Sequence, residues 1–574
     1  MPNKNIFDYI VIGAGTAGGV IAKELSDDIT ATVLVLEAGT NMVKELSSPS
    51  GAVSGILASD NRHSFNMLTN AEPSIGNQQL RISSGRTIGG SSEHNAMYAV
   101  RGSSDLYDQW ADTVGPQWSY NNVSSLFIKN ETYTGKTQEP EERGRKGPIF
   151  VREQTIPKDG LTVTLAKAAS DVLNIPIVED YNTGIRDCTF FKSQFLNKEV
   201  NGQFVRSSTA TGYLNRKIVT QGNEFHPDED GVGSRNLVIL AKTTVNKILF
   251  EQDRRIQVAV GVEFVRNGKS NRAYAKKGII VSAGNFSSII LQRSGIGNPA
   301  DLAKAGIETL INSPNVGHNF QAHFTIGMGV SVKTKRILDL MSADPDNPFP
   351  LGAFKGDSRR GGRRLQIYGS PTPTFLPTQD VLANNWGFDP KKQSNIMSIG
   401  LFDLNPKSRG TILAAHSDPE AYPSIDLNPL GDPDDLDFMV DQYIETFHIM
   451  KKARELDPEG IYKVVYPPEK IFEISNKEEQ RKKLESYVRA SYRNIFHFGG
   501  QCKMARSIRD GVVDGYLNVF GTMNLKVADL SISPILPDGN TSMPSQMIGL
   551  NAVRFIREDP SPFVVDDNEM EDAE

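Results

Sequence analysis

The amino-terminal residues alternate between apolar, strand-like runs and one helical stretch. An apolar, β-branched run, IFDYIVIG from Ile6, predicts a β-strand, and a second such run, ATVLVLEAG, ends beside Glu37. Between them, GVIAKELSDD has the apolar spacing of an amphipathic helix. The order strand, helix, strand indicates a parallel βαβ unit. We therefore predict an α/β fold that begins with a Rossmann-like half.

A glycine-rich turn joins the first strand to the helix, and it reads Gly13-Ala14-Gly15-Thr16-Ala17-Gly18. The first glycine of such a turn permits a sharp bend, the second lets the backbone approach a pyrophosphate, and the third lets the helix pack on the strand. A carboxylate about twenty residues later, here Glu37, is placed to accept hydrogen bonds from an adenosine ribose. We predict one bound dinucleotide, FAD or NAD. The alternative is a glycine turn that serves only packing.

Later stretches predict further elements. The runs SNIMSIGLFDL and TILAAH are strand-like, and PDDLDFMVDQYIETFHIMKKAREL has the 3.6-residue period of a long helix. The stretch from Asp344 to Pro377 is rich in Pro, Gly and Arg and lacks periodicity, so it is predicted to be a loop that borders the entrance to a site.

Composition narrows the function classes. The 574 residues carry a net charge of −6, which argues against a sequence-independent nucleic-acid binder. Cys188 and Cys502 are the only cysteines, too few for a disulfide framework or a thiolate metal site. No apolar run approaches the ~20 residues that a membrane span needs. The first strand begins at Ile6, leaving no room for a signal peptide. We predict a soluble, cytoplasmic chain without a membrane span or a metal.

Several segments, in order, carry a family resemblance. They are residues 85–97 (GRTIGGSSEHNAM), 110–120 (WADTVGPQWSY), 236–250 (NLVILAKTTVNKILF), 282–297, 316–323, 497–504 (HFGGQCKM) and 527–540. Together they resemble the glucose-methanol-choline oxidoreductases, over about residues 6–556. Phe498 and Gln501 depart from the family's Pro and Gly-Thr-Cys after the catalytic histidine, which affects the shape of the site more than its chemistry.

The resemblance implies two domains and a set of cofactor contacts. A discontinuous FAD-binding domain takes residues 1–149, 200–325 and 495–574, and a substrate domain of antiparallel sheet backed by helices takes 150–199 and 326–494. Besides the glycine turn and Glu37, the implied FAD contacts are Arg86, Gly90, His94, Asn95, Ala96, Met97, Val245, Asp529, Asn540 and Thr541.

Two residues carry the implied chemistry, which is FAD-dependent oxidation of an alcohol or sugar hydroxyl. An imidazole can accept the hydroxyl proton at neutral pH, and the resemblance makes His497 that base, facing the flavin N5. Asn540 can donate a hydrogen bond to the substrate oxygen but cannot take its proton, which leaves His497 as the base. A packed core histidine and a turn asparagine are the alternatives.

Three other histidines lie in the segments that carry the resemblance. His94 precedes Asn95 as the flavin-linked histidine of choline oxidases does, so a covalent bond to the flavin 8α-methyl group is implied. A histidine packed beside the flavin without a bond is the alternative. His318 and His323 are expected in a structural loop near the flavin rather than in a metal site.

The substrate and the electron acceptor stay open at this stage. Phe496, Phe498 and Trp386 suggest aromatic walls, which suit sugars and aryl alcohols alike, and no carboxylate for a cationic alcohol can be located. Oxygen, a quinone or a dye are the candidate acceptors. A hydroxynitrile-lyase-type enzyme and a flavin-binding protein without turnover are the alternative functions. Residues 566–574 are predicted to form an acidic, disordered tail.

Overall fold

The opening pattern folds as predicted. In the computed structural model, which describes residues 5–42, 58–158, 160–223, 225–253, 256–377 and 395–558, strand β1 (Ile6–Ile12) runs parallel to β2 (Val33–Leu36). Helix α1 (Gly18–Ser26) crosses between them, and eight of its nine residues are buried. Strand β2 is buried along its whole length, and β1 is buried over its last three residues. The glycine turn follows the carboxyl end of β1, and Glu37 follows that of β2.

A nine-stranded sheet contains this unit. Its strands are β1, β2, β12 (Glu229–Asp230), β13 (Leu237–Leu240), β14 (Thr243–Asp253), β15 (Ile256–Arg266), β16 (Lys269–Val281), β27 (Thr522–Met523) and β28 (Leu525–Val527). The order β13-β2-β1-β16 is parallel, and β14, β15 and β16 form an antiparallel meander at one side. The predicted α/β, Rossmann-like class is confirmed.

A second sheet of eight strands is almost entirely antiparallel. Its strands are β7 (Ile177–Val178), β8 (Cys188–Phe190), β19 (Gln321–Val332), β20 (Gly352–Asp357), β21 (Arg363–Ser370), β22 (Ile396–Asp403), β25 (Ile461–Tyr466) and β26 (Arg493–Gly499). Only β7 and β8 pair in parallel. Strand β19 lies between β22 and β25, and its first residues also pair with β26. The predicted antiparallel sheet is confirmed.

Short ribbons and helices complete the described chain. The ribbons are β3 (Ser64–Leu68), β4 (Arg81–Gly85), β5 (Glu131–Tyr133), β6 (Ile149–Glu153), β9 (Gln194–Phe195), β10 (Asn197–Val200), β11 (Gln203–Arg206), β17 (Ile296–Gly297), β18 (Ile311–Asn312), β23 (Thr411–Leu413) and β24 (Ser424–Asp426). The further helices are α2 (Ser104–Val114), α3 (Tyr120–Asn130), α4 (Leu161–Leu173), α5 (Thr209–Gly212), α6 (Ser287–Arg293), α7 (Pro299–Lys304), α8 (Thr334–Ala343), α9 (Pro433–Leu456), α10 (Glu469–Phe472), α11 (Lys477–Ser491) and α12 (Ser542–Glu558). The long helix predicted from periodicity is α9.

The prediction of a loop from Asp344 to Pro377 is wrong for the middle of that stretch, which forms strands β20 and β21. Every residue of β21 is buried, so neither face alternates with solvent and the sequence shows no two-residue period. Its arginines are buried because they are paired: Arg363 contacts Asp403 and Arg364 contacts Asp538. The flanking residues do line the cavity described below.

The division into two domains stays a prediction, and its boundaries at residues 325 and 495 fall within strands β19 and β26 of the second sheet. Trp386 and the acidic tail at 566–574 lie outside the described residues. Among the residues that are described, no helix has the length and apolar character that crossing a bilayer requires.

Candidate active site

Two glycine-containing segments of the chain meet at the carboxyl end of β1: the turn that begins at Gly13 and the segment around Gly90. Gly13 has a φ of +97°, and a Cβ there would lie 2.5 Å from the carbonyl oxygen of Ser282. Gly90, which opens a short 3-10 turn at Gly90–Glu93, has a φ of +55°, and its Cβ would lie 2.8 Å from the Cα of Gly15. Only glycine fits this close, left-handed arrangement. The result is a backbone cradle at the start of α1, suited to a pyrophosphate.

Glu37 closes the other side of the cradle. Its carboxylate accepts hydrogen bonds from the backbone N–H groups of Ala14 (2.9 Å) and Gly39 (2.8 Å), which fix it at the end of β2. Burial raises the pKa of Glu37 to about 7, although these donors and the Arg86 guanidinium oppose the shift. A buried carboxyl group in this position can accept hydrogen bonds from vicinal ribose hydroxyls.

One cavity of about 950 Å³ joins the cradle to the predicted catalytic residues. Of the predicted site residues it is lined by Gly13, Gly15, Thr16, Ala17, Glu37, Gly90, His94, Asn95, Ala96, Met97, Val245, His497, Asp529, Asn540 and Thr541. Two predicted residues do not line it. Gly18 packs against the carbonyl of Gly13, and Arg86 borders a neighbouring cavity of about 360 Å³, with its guanidinium 5.1 Å from the ring centroid of Phe65. The cradle, the ribose acceptor and the long cavity fit a dinucleotide.

His94 lies in the cavity wall and is nearly buried, at 8% exposure. Its Nε2 is 3.2 Å from the hydroxyl of Ser64. Burial, helped by the nearby Arg206 charge, lowers the pKa of His94 to about 4, so the ring is neutral at physiological pH. The next residue, Asn95, is held by Arg206, whose Nη1 donates to Asn95 Oδ1 over 2.6 Å.

Asp529 lines the same cavity. It accepts hydrogen bonds from the backbone N–H of Gly284 (2.8 Å), the hydroxyl of Ser287 (2.6 Å) and the backbone N–H of Ser531 (2.9 Å). Burial raises its pKa. These contacts tie together the segments that follow β16 and β28, which are parallel neighbours in the first sheet.

His497 and Asn540 are brought together although 43 residues separate them. His497 lies on β26, and Asn540 lies two residues before α12. The Nδ2 of Asn540 is 3.3 Å from the Nε2 of His497. Asn540 Oδ1 accepts a hydrogen bond of 3.1 Å from Gln366, so the amide group of Asn540 turns its NH₂ toward the imidazole.

A second histidine, which the sequence did not identify as functional, contacts His497. His323 is fully buried on β19, and its Nδ1 is 3.0 Å from the Nδ1 of His497. Burial lowers the pKa of His497 to about 4, and burial together with the His497 charge lowers the pKa of His323 well below its usual value. Both rings are therefore neutral at pH 7. Because His497 Nε2 accepts from Asn540, its Nδ1 carries the proton and donates to His323.

The expected structural loop is thus wrong for His323, which lies in a strand. The apolar run around it, FTIGMGVSV, was a signal for that strand. His318 does lie outside regular structure and pairs with Asp301 over 3.0 Å. Within the described ranges no three His, Cys, Asp or Glu side chains converge as metal ligands.

Aromatic rings dominate the part of the cavity beyond His497. The ring of Tyr368 lies 4.6 Å from that of Phe349 and 5.7 Å from those of Phe375 and Phe402, and all four residues line the cavity. Asp346 also lines the cavity. Burial, together with the charge of Asp344, raises the pKa of Asp346.

Comparison with known proteins gives the family. Models of the GMC oxidoreductase family match residues 7–325 and 406–549. Human mitochondrial choline dehydrogenase is 30% identical over 97% of this chain and 91% of its own length. An oxygen-dependent choline dehydrogenase of Sinorhizobium medicae is 29% identical over 96% of this chain and 95% of its own.

Solved structures agree in fold. Pyridoxine 4-oxidase of Mesorbium loti has a TM-score of 0.77 at 21% identity, covering 96% of this chain and 99% of that one. Formate oxidase of Aspergillus oryzae RIB40 has a TM-score of 0.78 at 21% identity, covering 97% and 99%. At this identity the likeness concerns the fold alone. With the family matches and the dinucleotide cradle, the conclusion is that this chain belongs to the GMC oxidoreductase family and is an FAD-dependent oxidoreductase.

Proposed function

We propose that the protein oxidises the CH–OH group of a small alcohol to a carbonyl, with His497 as the base and Asn540 as the hydrogen-bond donor to the substrate oxygen. The observation that carries this proposal is the 3.3 Å contact between Asn540 Nδ2 and His497 Nε2 in the wall of the cavity that also contains the glycine cradle. Bound FAD supplies a hydride acceptor at the flavin N5.

The two side chains have complementary roles. An alcohol hydroxyl that takes the place of their mutual contact donates its proton toward His497 Nε2 and accepts a hydrogen bond from Asn540. Because burial lowers the pKa of His497 to about 4, the ring is neutral and ready to accept the proton at pH 7. The amide NH₂ stabilises the alkoxide that develops as the proton leaves. His323 accepts a hydrogen bond from the Nδ1–H of His497, which leaves Nε2 free to take the substrate proton.

The predicted cofactor contacts are part of the proposal. The cradle of Gly13, Gly15 and Gly90 holds the pyrophosphate, and Glu37 holds the adenosine ribose. The segment from His94 to Met97 and residues Asp529 and Thr541 hold the flavin end, and the backbone at Val245 receives the adenine. Covalent attachment through His94 remains a proposal, supported by its place in the cavity wall.

The cavity favours an alcohol with a cationic or aromatic body over a sugar. A sugar needs several available hydrogen-bonding groups. The lining around Tyr368 has four aromatic rings, and the nearby hydroxyls of Ser370, Thr372 and Thr374 already hydrogen-bond one another. Asp346 adds one carboxylate to those rings, a combination that suits an ammonium or quaternary ammonium group. The choline dehydrogenase relatives agree with a cationic alcohol.

Anaerobic flavin bleaching tests this proposal. Holoenzyme is mixed with choline, benzyl alcohol, glycerol and glucose in turn, and absorbance near the flavin maximum is followed. We expect bleaching by choline or a related amino alcohol, followed by reoxidation with oxygen or a quinone. Bleaching by glucose alone would contradict the substrate class. A failure of every alcohol to bleach the flavin would contradict oxidation itself and favour a lyase or a flavin-binding protein.

A further inference from the structure

Gln366 contacts Asn540, one of the two residues of the proposed catalytic pair. It lies in β21, between Phe354 of β20 and Phe402 of β22, and is 1% exposed. Its Nε2 donates to Asn540 Oδ1 over 3.1 Å. The sequence around Gln366 does not identify it as functional, because a single glutamine in a buried strand belongs to no recognisable motif.

A second contact from the same strand holds the same turn. Arg364 is two residues before Gln366 and therefore on the same face of β21. Its Nε donates to Asp538 over 3.1 Å, and Asp538 also accepts from the backbone N–H of Ser103 over 2.8 Å. Two residues of β21 thus hold this turn: Arg364 contacts Asp538, and Gln366 contacts Asn540. Asn540 is fixed by the second sheet as well as by α12, which it precedes.

We infer that Gln366 is a positioning residue for the reaction, and this inference rests on the proposed function. By donating to Oδ1 of Asn540, Gln366 turns the amide NH₂ of Asn540 toward His497. That NH₂ group keeps Nε2 of the imidazole unprotonated. The alternative orientation of Asn540 would present Oδ1 to Nε2, and an acceptor there favours the protonated imidazole. That orientation would also remove the donor for the substrate oxygen. The hydrogen bond from Gln366 Nε2 favours the orientation in which the amide NH₂ faces His497.

Gln366→Met tests the inference because methionine has a similar length and no N–H donor. Without that donor, Asn540 is free to turn its oxygen toward His497. We expect the ascending limb of the kcat/KM profile to move up by about one pH unit, which is about a tenfold loss of rate on that limb. ¹⁵N-histidine NMR titration of the holoenzyme, with the His497 signal assigned from the spectrum of His497→Gln, should show the same rise in the pKa of His497.

A double-mutant comparison separates positioning from general damage. If Gln366 acts through Asn540, adding Gln366→Met to Asn540→Ala should change neither the pH profile nor the His497 titration further. Thr189→Val is the matched control. Its hydroxyl donates to the Gly352 carbonyl over 2.9 Å in the same sheet, and it is equally buried. We expect this control to leave both readouts unchanged.

Two outcomes would overturn the inference. One is a Gln366→Met enzyme whose rate falls by the same factor at every pH with no shift in the His497 titration. The other is a full additive effect of Gln366→Met in the Asn540→Ala background. The proposed function fails differently, through a His497→Gln holoenzyme that still reduces its flavin at the wild-type rate. The two failures are therefore distinguishable.

Discussion

The Nδ1 atoms of His323 and His497 lie 3.0 Å apart on two paired strands of one antiparallel sheet. A hydrogen bond between these two nitrogens requires that one of them carries a proton and that the other does not. Since Asn540 faces the other nitrogen of His497, the proton between the rings belongs to His497. The contact thus assigns a tautomer to the base and gives His323 a function that its own burial would not reveal.

His323→Leu should slow flavin reduction by about tenfold, because one hydrogen bond worth ~1.4 kcal/mol fixes the tautomer and the ring orientation. Anaerobic stopped-flow measurement of the reduction rate at saturating substrate checks this. His318→Leu is the matched control, because this histidine is in the same stretch and pairs with Asp301 away from the base. Equal effects of the two substitutions would contradict the role of His323.

The pH dependence of kcat/KM should reflect the lowered pKa of His497. Burial lowers that pKa to about 4, and the base works only in its neutral form. Activity is therefore fully present above this pKa and is lost as the pH falls through it. We expect the ascending limb below ~6.5, the ordinary value for histidine. A limb centred above neutrality and abolished by His497→Gln would contradict the buried, neutral base.

Gly90→Ala should abolish flavin retention. The new Cβ would lie 2.8 Å from the Cα of Gly15, in a residue whose φ is +55°. Gly76→Ala is the control: its φ is +76°, but nothing lies within 4 Å of the added Cβ. It carries only the backbone strain, ~1–2 kcal/mol. The ratio of flavin to protein absorbance after purification measures the effect. A Gly90→Ala protein with full flavin content would show that the cradle does not hold the cofactor.

Covalent attachment through His94 predicts a yellow pellet after acid precipitation of the wild-type protein. His94→Ala should release all flavin into the supernatant while the cavity still binds it. Mass spectrometry of the tryptic peptide should find the added FAD mass in the wild type alone. A colourless wild-type pellet with yellow supernatant would refute attachment and leave a packed histidine that contacts Ser64.

The local elements were predictable because their signals are local. The glycine turn, the strand before it and the carboxylate at the end of β2 lie within forty residues, and the structure has all three where the pattern indicates. Helix α9 follows from its apolar period in the same way. The pairing of His497 with Asn540 came from the family resemblance rather than from spacing, since no periodicity relates them.

The remaining parts depend on strand pairing between distant segments. His323 reaches His497 only because β19 and β26 pair across more than 170 residues, with an irregularity in register beside His323. Gln366 lies in the second sheet, and it meets Asn540 in the segment that precedes α12. Asp346 was not identified because its stretch has no periodic pattern, and the aromatic rings that line the same cavity come from β21, β22 and the segments beside them. Such contacts depend on which strands pair and in which register, and no local pattern in a single sequence specifies that pairing.

The most direct test of the account is the rate of anaerobic flavin reduction in His497→Gln, measured on holoenzyme whose flavin content and thermal stability match the wild type. Glutamine keeps a hydrogen-bonding side chain at this position but cannot accept the substrate proton. We expect a rate lower by roughly 10²- to 10⁴-fold, the usual contribution of one general base. Reduction at close to the wild-type rate would contradict it and remove His497 from the chemistry.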